Sequence, residues 1–254
     1  VSHAAGTRAP GEFLVVDLGL RGYAEALSFQ REVAAARIDR RVPQDVLILV
    51  EHPPVITLGR STKAGNLLAS SEALAARGVE LFEVERGGDV TFHGPGQLVG
   101  YPIVDLTGHK QDLHWYLRQV EEVMIRAVAP FGVVAGRNPG KTGVWTRGRK
   151  LASIGVHARQ WVTWHGFALN VTTDLSYFDL MVPCGIADVV MTSVGCELLE
   201  AVDRAPATCL APSPSLGDDV RESVVRAFGD VFARGAAPAT VPMLEHMLAV
   251  PARV

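Results

Sequence analysis

Residues 143–145, 150–156 and 165–171 read as consecutive strands, and the first two are joined only by Thr146-Arg147-Gly148-Arg149. Strands joined by turns this short argue for a largely mixed or antiparallel sheet rather than a regular alternation of strand and helix. Upstream, residues 13–18 form a β-branched run fit for a strand. Residues 23–40 then place Leu27, Val33, Ala34 and Ile38 at mostly helical spacing. Residues 45–51 hold the apolar core strand Val46-Leu47-Ile48-Leu49-Val50, stopped by Pro53-Pro54 before residues 55–58 resume.

Ser70 or Ser71 can cap a short helix running to Arg77, with Gly78 at its end, and residues 79–84 return to strand. Residues 98–106 read as a further strand. Residues 112–131 carry Leu113, Leu117, Val120, Met124 and Val128 near a 3.6-residue period and form the longest helix, ended by Gly132. A Pro/Ala/Ser connector over residues 206–214 leads to a last helix over 218–234. Helices among runs of closely joined strands predict an α+β fold with a mixed sheet and flanking helices.

With 254 residues, 48% of them hydrophobic and 20% charged, the chain can bury a full core, and its length suits one large domain or two small ones. No apolar stretch approaches the roughly 20 residues that span a bilayer, and the first residues lack a basic start and an apolar run, so the expected location is the cytoplasm, with no membrane partner. The three cysteines, Cys184, Cys196 and Cys209, are odd in number and show no paired spacing. That argues against a disulfide framework and a structural metal and leaves at least one free thiol.

The net charge of −3 hides an asymmetry. Between Glu122 and Asp174 there is no acidic residue, while Arg126, Arg137, Lys141, Arg147, Arg149, Lys150 and Arg159 fall there with His157 and His165. Such a block can steer an acidic partner, or its counter-charges can arrive from elsewhere in the fold. The acidic total and the lack of an aromatic-basic run or a helix-turn-helix pattern speak against nucleic acid.

Two segments invite a phosphate reading and fail it. The run from Gly136 through Gly140-Lys141-Thr142 is one residue short between its glycines and leads into a strand, so the helix N-terminus that would hold phosphate is missing. Gly87-Gly88 lacks dinucleotide-binding spacing and also leads into a strand. Cys184 is the better candidate. Pro183 fixes the approaching backbone and Gly185 removes a side chain that would crowd an incoming carbonyl, although a lone cysteine is more often a small buried hydrophobe.

A thiol is activated by a neighbouring cation. Lys150 opens the alternating strand Lys150-Leu151-Ala152-Ser153-Ile154-Gly155-Val156, while His93 and His165 are rivals because imidazole titrates near neutrality. The plain readings are an exposed lysine at a strand end and hydrogen-bonded structural histidines.

The runs RGGDVTFHGPGQLVGYPI from Arg86 and GRKLASIGVHARQWVTWHGFALNV from Gly148, with Pro183-Cys184-Gly185-Ile186, together resemble the octanoyltransferase (lipoyl(octanoyl) transferase, lipoate-protein ligase B) family from about Phe13 to Leu199. The resemblance implies the fold shared by biotin and lipoate protein ligases. It also implies transfer of an octanoyl group from octanoyl-acyl-carrier protein to a lysine of lipoyl-acceptor domains, in 2-oxoacid dehydrogenase E2 subunits and the glycine cleavage H protein, with no cofactor or metal. Cys184 then corresponds to the thioester nucleophile and Lys150 to its pKa-lowering partner.

On the same basis Arg86, Gly87, Gly88, Asp89, Val90, Thr91, Phe92 and His93, with Ser153, Ile154 and Gly155 and with Gly166, Phe167 and Ala168, form the acyl pocket. Ala152, Gly155, Gly166 and Ala168 are expected to let the chain approach the backbone, and Phe167 to form a wall. The expected organisation is a flexible N-terminus over 1–12, a catalytic octanoyltransferase domain over 13–234 and an Ala/Pro-rich tail over 235–254. An ATP-dependent lipoate or biotin ligase, a noncatalytic acyl-binding module and a Cys-His hydrolase remain as alternatives.

Overall fold

The structure is a computed structural model and describes residues 11–186, 188–200, 213 and 215–249. Its centre is an eight-stranded mixed sheet. The strands are β1 (Glu12–Leu20), β2 (Asp45–Glu51), β6 (Gln97–Ile103), β7 (Gly136–Asn138), β8 (Lys141–Thr146), β9 (Arg149–Arg159), β10 (Val162–Asn170) and β11 (Gly235–Pro238), in the order β11-β1-β2-β6-β10-β9-β8-β7. β1 pairs parallel with β2 and β11, and every other pairing in this sheet is antiparallel. The expected mixed sheet is therefore observed. A second sheet, β4-β3-β5, is built from β3 (Val55–Leu58), β4 (Glu80–Glu83) and β5 (Thr91–His93).

Each face of the large sheet buries its own cluster because successive residues of a strand point to opposite sides. One face carries Leu47, Leu49, Leu98, Phe167 and Leu169 beneath α3 (Leu113–Val128) and α5 (Leu216–Phe232), where Val120, Met124, Val224 and Phe228 cover them. The other carries Val46, Ile48, Val99, Tyr101 and Ala168 beneath α1 (Tyr23–Ile38) and α6 (Val241–Ala249). A buried side chain of this kind is worth roughly 1.5–3 kcal/mol, so the two-sided sheet is the main source of stability.

The helix signals hold at their ends. Ser70 caps α2 (Ser71–Ala76) by accepting from Ala73 N–H at 3.3 Å, and Gly78 follows at φ +63°. Asp112 caps α3, and Gly132 is left-handed after it.

The segment set apart in the sequence as an Ala/Pro-rich tail carries β11 and α6 over its described part. Gly235 to Pro238 pair with Glu12 to Val15, and Leu244 of α6 is fully buried. Short residues hide such a strand because they give no apolar alternation to read. The 206–214 connector lies almost wholly outside the described residues, as do residues 1–10 of the expected N-terminal segment.

Candidate active site

Lys150 stands near the start of β9, where β8 and the segment after Cys184 meet it. It pairs with Trp145 in the ladder, its N–H donates to Val190 O at 2.8 Å and its carbonyl accepts Thr192 N–H at 2.9 Å. The residue is 1% exposed, and among the described residues no carboxylate pairs with it. Its Nζ instead donates to Cys184 Sγ at 2.9 Å and lies 5.6 Å from the centre of the Trp145 ring. A buried amine without a carboxylate is costly, and the Cys184 sulfur is the partner that the fold places against it.

Cys184 itself sits in a short 3₁₀ turn, Pro183–Gly185, with left-handed φ +56° and ψ 20°. Three backbone bonds hold the turn: Cys184 N–H to Val90 O at 2.9 Å, Gly185 N–H to Val182 O at 2.9 Å and Ile186 N–H to Pro183 O at 3.1 Å. Burial pushes the thiol up. The charge and hydrogen bond of Lys150, helped by Ser153 Oγ at 3.5 Å and the charge of Arg86, outweigh it and leave the thiol below its ordinary value. Gly185 is fixed by space as well as by φ +65°, since a Cβ there would lie 2.4 Å from Asp89 Oδ2.

Behind this pair opens a cavity of about 260 Å³. Its floor is one face of three adjacent strands. Register places Ser153 beside Ala168 and Ala168 beside Val99, with Gly155, Gly166 and Tyr101 two residues further along. Tyr23, His93 and His165 also line it, as do Gly140 of the β7–β8 turn, Lys141 and Thr142 at the start of β8, and Ile186.

Of the residues expected there, Arg86, Gly88, Asp89, Thr91, His93, Ser153, Ile154, Gly155, Gly166, Phe167 and Ala168 line the cavity with Lys150 and Cys184. Gly87, Val90 and Phe92 do not. Gly87 N–H donates to Val156 O, Val90 offers its carbonyl to Cys184, and Phe92 turns away to stack on Tyr177 at 4.6 Å. Phe167 is no aromatic wall. Its ring belongs to the cluster under α3 and α5, in the space that Gly100 leaves free.

The glycines serve the backbone more than the cavity. A Cβ on Gly166 would lie 2.2 Å from Gly100 O, and one on Gly155 would lie 2.8 Å from Gly87 O and 2.9 Å from Arg86 Cδ. The room made at Gly155 belongs to Arg86. That guanidinium, 6% exposed, donates to Thr57 O at 2.7 Å, Thr57 Oγ1 at 2.8 Å, Asp89 O at 2.8 Å and Gly87 O at 3.2 Å. Asp89 accepts Val90 N–H and Asn66 Nδ2–H, each at 2.7 Å, so the whole loop is cross-braced.

Neither rival histidine bonds the sulfur. His93 Nδ1 faces Gln97 Oε1 at 2.9 Å, and burial holds its pKa down to about 3. His165 Nε2 lies 3.5 Å from Glu85 Oε1, with burial again lowering its pKa. Cys196 is buried in α4 (Val194–Glu200) and disulfide-bonded, which the sequence spacing did not indicate; Cys184 is the free thiol among the described residues.

The basic block is largely neutralised from elsewhere. Arg126 pairs with Glu122, Arg137 with Glu121 and Glu122, and Arg147 and Arg149 with Glu197 and Glu200. The sequence showed the gap in acidic residues but not the carboxylates that fill it from either side.

Residues 22–206 match the lipoyl protein ligase A/B catalytic domain family, and the chain belongs to that family. Within it the similarity is to octanoyltransferases. The chain is 49% identical over 231 residues to that of Acidobacterium capsulatum, covering 86% of this chain and 89% of the relative. It is 54% identical over 223 residues to that of Koribacter versatilis, covering 86% and 83%. In fold it is similar to lipoate-protein ligase A bound with ATP, with a TM-score of 0.65 at 16% identity over 94% of this chain and 92% of that one. The bipartite lipoate protein ligase of Thermoplasma acidophilum gives 0.66 at 17% identity over 95% and 91%.

Proposed function

We propose that the protein moves an octanoyl group from a carrier-protein thioester to a lysine of a lipoyl-acceptor domain, through a thioester on Cys184. The observation that carries this reading is the 2.9 Å contact between the buried Lys150 ammonium and a thiol that opens onto an acyl-sized cavity. The octanoyltransferases to which the chain is similar supply the acyl group and the place in lipoate biosynthesis.

In the first half-reaction the Cys184 thiolate attacks the thioester carbonyl. The carbon–sulfur bond to the carrier breaks, and the departing thiolate takes a proton from Lys150. In the second, the acceptor amine attacks the Cys184 thioester, Lys150 takes the proton that the nitrogen sheds, and Cys184 leaves as the thiolate. The N–H groups of Cys184, Gly185 and Ile186 are already engaged with carbonyls, whereas the Lys150 amine and the Ser153 hydroxyl stand at the sulfur and can donate to the carbonyl oxygen as it gains charge.

Intact mass after brief incubation with octanoyl-acyl-carrier protein tests the reading. It expects an octanoyl adduct that hydroxylamine removes and that Cys184→Ala abolishes. Transfer by Cys184→Ser at near wild-type rate, dependent on ATP and free acid, would replace it with ligase chemistry.

A further inference from the structure

We infer that Tyr101 sets the upper limit on acyl-chain length by closing the slot behind Cys184; the inference rests on the acyl-enzyme reading above. Ser153 stands at the sulfur, Ala168 beside it and Val99 beside Ala168, and Tyr101 follows two residues along β6 on the same face. Two strand spacings and two residue rises put the Cα atoms of Ser153 and Tyr101 roughly 12 Å apart. A saturated chain advances about 3.5 Å per three bonds, as an extended backbone does, so an octanoyl chain spans about 8 Å. The phenol ring takes up the remainder.

The ring cannot retreat. Tyr101 is 3% exposed, and its hydroxyl lies 2.8 Å from Nε2 of the fully buried His52. His52 Nδ1 faces Arg21 O at 2.7 Å; a carbonyl accepts only, so Nδ1 carries the proton and Nε2 accepts from Tyr101. Tyr23 packs edge-on against His52 at 5.2 Å and lies parallel to His93 at 6.0 Å, which fixes the flanks of the same wall. A rigid end gives a sharp cut-off, because each methylene that overruns it must displace anchored rings.

The test measures the rate of Cys184 acylation by intact mass with hexanoyl, octanoyl, decanoyl and dodecanoyl carrier-protein thioesters. Tyr101→Ala should raise the dodecanoyl-to-octanoyl rate ratio by about tenfold or more. Ala168→Leu, which fills the floor midway, should move the preference toward hexanoyl by a similar factor, and it serves where Tyr101→Ala does not fold. A normal octanoyl adduct with an unchanged chain-length profile in the folded variants overturns the inference alone. Absence of a Cys184 adduct at every chain length in the wild type overturns the acyl-enzyme reading and this inference with it.

Discussion

The carbonyl of Val90 accepts the amide hydrogen of Cys184 at 2.9 Å, and the carbonyl just before it, that of Asp89, is held by Arg86 at 2.8 Å. The nucleophile's backbone thus hangs on a loop pinned by a buried guanidinium. A non-glycine residue at φ +56° costs of order 1 kcal/mol, and this bracing maintains it.

Arg86→Met should therefore cost roughly 3 kcal/mol or more in urea unfolding, because several buried carbonyls lose their donor at once. It should also slow alkylation of Cys184 in the folded protein. Wild-type values for both would show that the loop holds without its arginine.

Alkylation of Cys184 by iodoacetamide should show an inflection below 9.0, the ordinary thiol value, and Lys150→Met should move it upward, since burial is then opposed only by the smaller effects of Ser153 and Arg86. A depressed thiol stabilises the fold fully above 9.0 and loses that contribution as pH falls through the folded value, so stability of wild type relative to Cys184→Ala should decline in that direction.

Acid should loosen the inner cavity. His52 is held down to about 4 and His93 to about 3, both chiefly by burial, against an ordinary 6.5. Between 6.5 and 4 the unfolded chain binds protons that the fold does not. Stability should then fall with pH by up to about 1.4 kcal/mol per unit for each histidine. Urea midpoints at a series of pH values check this, and His52→Gln should flatten the slope.

Gly166→Ala places a Cβ 2.2 Å from a backbone oxygen in mid-sheet and should cost roughly 2–4 kcal/mol by thermal unfolding. Gly140→Ala, at φ +76° with open space around it, should cost only about 1 kcal/mol. Equal losses would mean that close packing is not what selects glycine at position 166.

Arg149→Gln should lower stability by about 1 kcal/mol while leaving the KM for an acyl-carrier substrate unchanged, since Arg149 already serves Glu197 and Glu200. A salt-sensitive rise in KM would restore the basic block as a docking face.

What the sequence made legible was what depends on local chemistry. The core strand Val46 to Val50, the cap at Ser70 and the antiparallel run around Lys150 follow from burial, capping and turn length. Lys150 and Cys184 were recognisable because their family segments are contiguous. Tyr23, Val99 and Tyr101 were not, because only strand register and the placement of α1 bring them to Ala168 and Ser153. Gly140-Lys141-Thr142 failed as a phosphate loop and stands at the cavity as the end of a hairpin turn and the start of β8. Phe167 was misplaced by the parity of a single residue, the distinction that composition cannot carry.

The parallel pairing of β11 with β1 bears on how the protein can be trimmed. The family segments end well before Arg234, and a chain cut there would keep every residue of the site. It would also leave β1 as an open edge, its N–H and C=O groups unmatched from Glu12 to Val15 beside the apolar run Phe13 to Val16. Such a fragment would be a template for strand exchange between copies, so the last described strand acts as a solubility element for the catalytic sheet.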